Sequence, residues 1–261
     1  MSGVGARPSA SIILVRDGAA GLETFMVRRH AQSAVAPSAY VFPGGTLRAD
    51  DAELQAGDPA SLARTLSARS DTPVEPERAV AYYACAIREL FEEAGVLLAY
   101  EADGHLVAVD EADLARQEHL AATRLALQGR QLSLQTVVAE HHWRPACDQL
   151  VPFSHWVTPE VVAARFDARF FVAQMPARQA ALHCTIETTE GVWLTPAQVL
   201  DGAYHVVYAT AQHLRRLVPF GSVAALLAFA QRKPIRRVQP RLVETQSGRQ
   251  VSLAPGLADA W

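Results

Sequence analysis

The run Arg88-Glu89-Leu90-Phe91-Glu92-Glu93-Ala94-Gly95-Val96 constrains this chain more than any other stretch. Coiled as a helix, it sets Glu89, Glu92 and Glu93 at i, i+3 and i+4, so three carboxylates share one face. Like charges at that spacing repel by roughly a few tenths of a kcal/mol per pair on an exposed helix. A divalent cation would relieve the repulsion, and Mg²⁺ favours carboxylate oxygens together with substrate phosphates. The competing reading is a solvated acidic face with Arg88 paired to Glu92 one turn on. Two details favour the cation. Gly95 follows the acids directly, where a tight helix end is needed. Upstream, Tyr40-Val41-Phe42-Pro43-Gly44-Gly45 closes an apolar run with paired glycines, a turn at which bare backbone can approach a metal or an anion.

The rest of the composition narrows the class. With 261 residues, 50% of them hydrophobic, the chain can bury one sizeable core with a helical annex. A net charge of −3 and a pI near 6.3 argue against a general nucleic-acid binder. Cys85, Cys147 and Cys184 show no CxxC spacing and read as thiols of a reducing compartment, not as a disulfide frame or zinc site. No apolar run reaches the roughly 18 residues of a membrane span, and residues 1–10 lack the parts of a signal peptide. The end of the chain is not a peroxisomal Ser-Lys-Leu address. A cytoplasmic protein is expected, with no membrane partner.

Hydrophobic periodicity and turn residues predict strands over 10–16 and 23–29 as a hairpin, and a short strand at Tyr40. Pro76 and Glu77 suit the start of a helix that runs to Ala94. Within it Ala81, Cys85 and Leu90 are assigned to the core side, with the carboxylates opposite. Residues 46–76 contain one short helix near 61–68, and 96–109 reads as extended with Asp103-Gly104 at a turn. Helices follow over 110–127 and 133–142, either a lid or a packing element. Strands are expected over 149–156, 168–173 and 192–194, and helices over 196–201, 207–217 and 221–232. His141-His142 reads as helix-end capping or packing, because neighbours on a helix diverge by about 100°. Trp156 and Trp193 read as core.

Residues 88–96 match every fixed position in the second half of the Nudix box, and Phe42-Pro43-Gly44-Gly45 resembles its opening. Counting from Gly45, the sixth residue on is Asp51, an acid shorter than the usual Glu. Arg88 then comes about thirty residues later than the ordinary spacing, and Val80 stands where that spacing puts a Glu eight before the Arg. The box is interrupted. With the later Arg165-Phe166-Asp167-Ala168-Arg169-Phe170-Phe171-Val172-Ala173, the chain resembles the Nudix branch that holds a peroxisomal coenzyme A diphosphatase and its bacterial relatives. The resemblance runs from about residue 10 to about residue 235.

That resemblance implies an α/β fold: a Nudix-type α/β/α sandwich with a mixed sheet. One domain would span 1–261, with an insertion at 46–76 in the box, a helical insertion at 110–142, and C-terminal helices and tail over 205–261. It implies a Mg²⁺-dependent hydrolase, Mn²⁺ being an alternative ion, that cleaves a nucleoside diphosphate-linked substrate at the pyrophosphate. Glu89, Glu92 and Glu93 would bind metal, with the carbonyl of Gly44 or Gly45 completing the coordination. Glu89 would double as general base, and Arg88 would orient a carboxylate by a charge-assisted hydrogen bond. Family members often add an acid before a Trp-bearing strand. Glu187, six residues before Trp193, is the candidate for base or metal ligand and Glu190 the reserve; either fits an exposed loop acid equally well. Arg29 sits thirteen residues before Phe42, where coenzyme A diphosphatases of another branch carry an Arg, though Ala34 and Ser38 replace other parts of that pattern. Arg28, Arg29, Arg165 and Arg169 are candidate phosphate clamps, or else a solvated strand end and an ion pair with Asp167.

The nearest resemblance implies coenzyme A or acyl-coenzyme A, split to 3′,5′-ADP and (acyl-)4′-phosphopantetheine. The same chemistry on ADP-ribose, a dinucleotide or a nucleoside triphosphate is the second reading. A Nudix-fold ligand sensor without turnover is the third. The expected partner is a small nucleotide-type molecule, with no nucleic acid, and the reading leaves room for a homodimer.

Overall fold

Strand β1 (Arg7–Gly18) is apolar at Ala10 and from Ile12 to Val15 because it is covered on both faces. Ala10, Ile12 and Leu14 point into one core, while Ile13 and Val15 point into the other. The computed structural model describes residues 5–109, 112–183, 188–245, 248–254, 256–257 and 261. Glu187 and Cys184 lie outside these residues.

The chain continues through β2 (Gly21–Arg29), β3 (Tyr40–Val41), β4 (Gly44–Thr46), α1 (Pro59–Ser67) and α2 (Pro76–Ala94). Next come β5 (Ala99–Tyr100), α3 (Leu114–Gln128), α4 (Leu134–Glu140), β6 (Arg144–Pro145), β7 (Val151–Val157), β8 (Phe166–Gln174) and β9 (Thr188–Leu194). After them follow α5 (Pro196–Leu200), α6 (Tyr208–Leu217), α7 (Val223–Ala230), β10 (Arg237–Val238), β11 (Arg241–Thr245) and β12 (Gly248–Ser252). The main sheet runs β10-β7-β8-β1-β2-β3, with β4 paired to the start of β1 and β9 to β2. It is mixed: β1 lies parallel to β8 and β7 to β10, and the other pairs are antiparallel. Helices α2 to α4 cover one face and α5 to α7 the other. The α/β sandwich expected from the sequence is the fold observed.

Helix α2 starts with Pro76 at its first turn and is buried from Ala79 to Ala94. A helix buried all round has no solvated face, so its polar residues must find partners inside the protein. It ends at Gly95, whose φ of 67° is left-handed and whose N–H donates to the Phe91 carbonyl. Helix α3 braces that end. Arg124 Nε and Gln128 Nε2 both donate to the Glu92 carbonyl, at 2.8 and 2.7 Å, satisfying an acceptor of the last turn.

Two expectations need correction. Residues 96–109 are not extended throughout: Ala99–Tyr100 pairs with β6, and past the expected turn at Asp103-Gly104 Leu106 bridges back to Tyr100. The Gln179 side chain takes the Leu97 N–H and donates to the carbonyls of Leu97 and Val107, groups that a sheet ladder would otherwise use. Cys85 is not on the side of α2 away from the acids. It lies one turn before Glu89, with Sγ 3.5 Å from the Gly45 carbonyl.

The 46–76 insertion is tied to the sheet and to the segment after α7. Arg69 Nη1 and Nη2 donate to the carbonyls of Lys233 and Pro152, at 2.9 and 3.0 Å. Ile235 N–H donates to the Arg69 carbonyl at 2.7 Å, and Arg237 N–H to Asp71 Oδ1 at 2.9 Å. Thr72 Oγ1 meets His155 Nδ1 at 2.9 Å and accepts from Arg169 Nη2 at 2.9 Å. Among the described residues, no helix is long and apolar enough to cross a membrane.

Gly95 generates a test. An alanine there must adopt a left-handed backbone, and its Cβ would come within 3.0 Å of Arg124 Nη1. Gly95→Ala should cost about 1 kcal/mol, lowering the melting temperature by roughly 2–4 °C. An unchanged melting curve would show that this helix end tolerates a side chain.

Candidate active site

Glu89, Glu92 and Glu93 are 6%, 3% and 2% exposed, so the solvated-face reading of the acidic run does not hold. Buried carboxylates at this spacing need compensating cations or donors. Arg88 supplies the first. Its guanidinium, fully buried, grips Asp51 with two bonds, Nε to Oδ1 at 2.8 Å and Nη2 to Oδ2 at 2.9 Å. Nη1 donates to Glu89 Oε1 at 2.6 Å and lies 3.4 Å from Glu92 Oε1, and Nη2 also reaches the Thr46 carbonyl. Burial works against this cation, but Asp51 and Glu89 outweigh it, so Arg88 holds its proton more tightly than a free arginine. The short acid six residues after Gly45 thus clamps the box arginine, although the insertion separates the two in sequence.

Arg48 supplies the second cation. Its Nη1 and Nη2 donate to Glu92 Oε1 and Oε2 at 2.8 and 2.9 Å, and Nη1 also meets the Leu127 carbonyl at the end of α3. Asp51 fixes this arginine too, since Oδ2 accepts from the Arg48 N–H at 2.7 Å. Burial, followed by the charge of Glu89, pushes Glu92 up to about 7 against the pull of Arg88 and Arg48. Sequence reasoning missed Arg48, which lies in the variable part of the box and belongs to no motif.

The glycine turn closes the site. Gly44 N–H donates to Glu93 Oε2 at 2.9 Å. A Cβ on Gly45 would stand 2.3 Å from Glu89 Oε1, and one on Gly44 2.4 Å from Ser11 Oγ. Only residues without side chains fit between β1 and α2 here.

The donor set consists of hard oxygens suited to Mg²⁺ or Mn²⁺, and the Gly45 approach is a cradle that any side chain would fill. As they stand, however, the carboxylates do not converge as a cage. Among the described residues no three His, Cys, Asp or Glu side chains are gathered in a cation-holding group. Each box carboxylate is turned toward an arginine or a backbone N–H instead. The set fits a divalent cation in chemistry and requires some of these contacts to open.

Glu89 and Glu92 line a cleft of about 650 Å³. It opens where β1 and β8 begin and β7 ends. Alternation along β8 sets Phe166, Ala168 and Phe170 on the cleft wall. Trp156, Val162 and Tyr208 continue this apolar wall, while Arg7, Arg29, Arg48 and Arg130 add positive charge. Arg130 takes a left-handed backbone, φ 57°, on the turn after α3.

Of the other candidates, only one joins the cleft among the described residues. Arg29 lines the cleft, with Nε on the Val35 carbonyl at 3.0 Å; Arg28 does not line it and lies over the Tyr40 ring at 5.8 Å. Arg165 and Arg169 are also outside the lining. Arg169 is committed to Ser70 and Thr72, and Asp167 pairs with His155 Nε2 at 2.5 Å instead of with either arginine. Glu190 accepts from the Tyr40 hydroxyl at 2.7 Å, and burial together with this bond pushes Tyr40 up to about 12. His141 stacks on Trp143 with ring centroids 4.1 Å apart and meets His119 through their Nε2 atoms at 3.0 Å.

Comparison with known proteins bears on the family and the fold. Residues 54–207 match the family described as the NUDT19 Nudix domain. The acyl-coenzyme A diphosphatase NUDT19 of Xenopus laevis is 27% identical over 87% of this chain and 68% of that protein. Its counterpart from Gallus gallus is 26% identical over 92% of this chain and 73% of that protein. Among solved structures, a NUDIX hydrolase from Alicyclobacillus acidocaldarius superposes with a TM-score of 0.63 at 22% identity, covering 86% of this chain and 96% of that one.

Two kinds of variant separate chemistry from support. Glu92→Gln and Glu93→Gln should each lower turnover by orders of magnitude with the fold intact, measured as product release beside circular dichroism. Asp51→Ala should instead destabilise the protein by about 3 kcal/mol, because it leaves a buried guanidinium half paired. Wild-type urea unfolding for Asp51→Ala, or near wild-type turnover for both glutamines, would contradict these roles.

Proposed function

The chain belongs to the Nudix hydrolases, in their NUDT19 branch, and on that premise we propose that it hydrolyses the diphosphate of coenzyme A or acyl-coenzyme A with Mg²⁺. The products are 3′,5′-ADP and the (acyl-)4′-phosphopantetheine. One observation carries this reading: a single cleft joins the carboxylates Glu89 and Glu92 to an apolar wall of Trp156, Val162, Phe166, Phe170 and Tyr208. The first suits a diphosphate and the second a long apolar arm. The names of the vertebrate relatives point to the same substrate class.

Pyrophosphate resists attack because its oxygens carry negative charge that repels a nucleophile. Glu89, Glu92 and Glu93 would hold Mg²⁺, whose charge would offset that of the diphosphate and make water a better nucleophile. The chain's own residues do the rest. Glu89 lines the cleft and accepts a proton from the attacking water, its carboxylate aimed by Arg88. The positive side chains of Arg29 and Arg130 meet phosphate oxygens at the rim. The apolar wall excludes water along the acyl arm, so affinity rises with chain length while the reacting end stays the same. Glu187 remains the second candidate for the base.

The test is product analysis by mass spectrometry in ¹⁸O-labelled water, with coenzyme A, octanoyl-coenzyme A, ADP-ribose and NADH as substrates. The expected result is 3′,5′-ADP and phosphopantetheine products, faster from the octanoyl ester, lost with EDTA and restored by Mg²⁺. Phe166→Asp should reduce the preference for the acyl ester over free coenzyme A. Cleavage of ADP-ribose or NADH with both coenzyme A compounds left intact would overturn the substrate assignment.

A further inference from the structure

The two guanidiniums in the carboxylate network are held very differently. Arg88 is fully buried and bonded on every side, to Asp51, Glu89, the Thr46 carbonyl and Cys85. Arg48 lines the cleft, its side chain is 15% exposed, and besides Glu92 it touches one carbonyl, that of Leu127. Both oxygens of Glu92 nonetheless face it, in the two-pronged geometry that is strongest between arginine and carboxylate. A cation cannot take those oxygens in the same directions. Charge gives a second argument. Asp51, Glu89, Glu92 and Glu93 bring four carboxylates to this network, and Arg48 and Arg88 bring two guanidiniums. Among the described residues of this network, with all groups ionised, the excess is two negative charges, and withdrawal of Arg48 would make it three.

We propose that Arg48 is an exchangeable counter-ion: it holds Glu92 while the site is without a cation, releases it when a divalent ion arrives, and then binds a phosphate oxygen of the substrate. This rests on the metal-dependent reading above. Arg48 thereby acts as a positioning residue for Glu92 first and as a substrate-binding residue second. The arginine enters the site from the box insertion, on a segment whose backbone Asp51 fixes. Its side chain is therefore the movable part, and a guanidinium freed at the cleft wall is suited to a planar grip on phosphate.

The test needs no turnover. Mn²⁺ binding to the metal-free protein is titrated by electron paramagnetic resonance for wild type, Arg48→Met and Arg48→Lys, each also with Glu92→Gln. Methylenediphosphonate, an uncleavable diphosphate mimic, is then titrated into the Mn²⁺-loaded proteins. Arg48→Met and Arg48→Lys should both bind Mn²⁺ on the order of tenfold more tightly than wild type, because neither can make the two-pronged bond. The gain should vanish in the Glu92→Gln background, and Arg48→Met should bind the diphosphonate on the order of tenfold more weakly. If wild type fails to bind Mn²⁺, the metal reading itself falls and the proposal with it. If wild type binds but Arg48→Met matches it for Mn²⁺ or for the diphosphonate, the metal reading survives and the exchange is wrong. A tightening by Met but not by Lys would likewise overturn it, since charge alone would explain the effect.

Discussion

Three carboxylates taken out of water on one face of a buried helix can persist only if the surrounding chain supplies positive charge and donors at fixed positions. The paired contact of Arg88 with Asp51 and Glu89 is the centre of that supply. Buried ion pairs add little net stability by themselves, but removing one partner leaves the other exposed to the full cost of desolvation. That asymmetry explains why so much of the molecule converges here. β4 must pass α2 without side chains at Gly44 and Gly45, the insertion must return to deliver Asp51, and α3 must close the helix end through Arg124 and Gln128.

The segments beyond the core of the sandwich are therefore more than decoration. The 46–76 insertion contributes Arg48 and Asp51 to the carboxylates, and its far end is fastened through Arg69, Asp71 and Thr72 to the other side of the sheet. The helical insertion ends beside the same site, where the Leu127 carbonyl meets Arg48 and Arg130 lines the cleft. Arg130 takes its left-handed backbone as the residue that closes α3, its N–H donating to the Leu127 carbonyl and the Gln131 N–H to the Ala126 carbonyl. Pro240 and Val251, from the region of the β11–β12 hairpin, also line the cleft. Both insertions and the C-terminal region thus reach one opening, which the proposed function uses from end to end.

What could be read in the sequence was local. The Glu89, Glu92 and Glu93 spacing, the Gly95 stop and the Gly44-Gly45 turn depend on near neighbours and on backbone sterics, and each has its expected structural role. The alternation of β1 and β8 also follows from the chain itself. What escaped was decided by partners distant in sequence. Cys85 is the core residue it looked like, yet one turn of helix also sets it on the face of Glu89, against the Gly45 carbonyl. Arg169 resembled a phosphate clamp, but alternation with Phe170 turns it from the cleft toward Ser70 and Thr72. Nothing in the residues around Arg48 marks it, because its meaning comes from Glu92, forty-four positions on. Residues 96–109 keep the turn read at Asp103-Gly104, but one distant side chain, Gln179, takes the Leu97 N–H and the Val107 carbonyl that longer strands would use.

The most direct measurement of the central claim is the anomalous difference map of a crystal soaked in Mn²⁺. The account predicts a peak bounded by the carboxylates of Glu89, Glu92 and Glu93 and the Gly44-Gly45 turn, with Arg88 still gripping Asp51. Manganese bound elsewhere, or the three side chains unmoved with no ion among them, would contradict it.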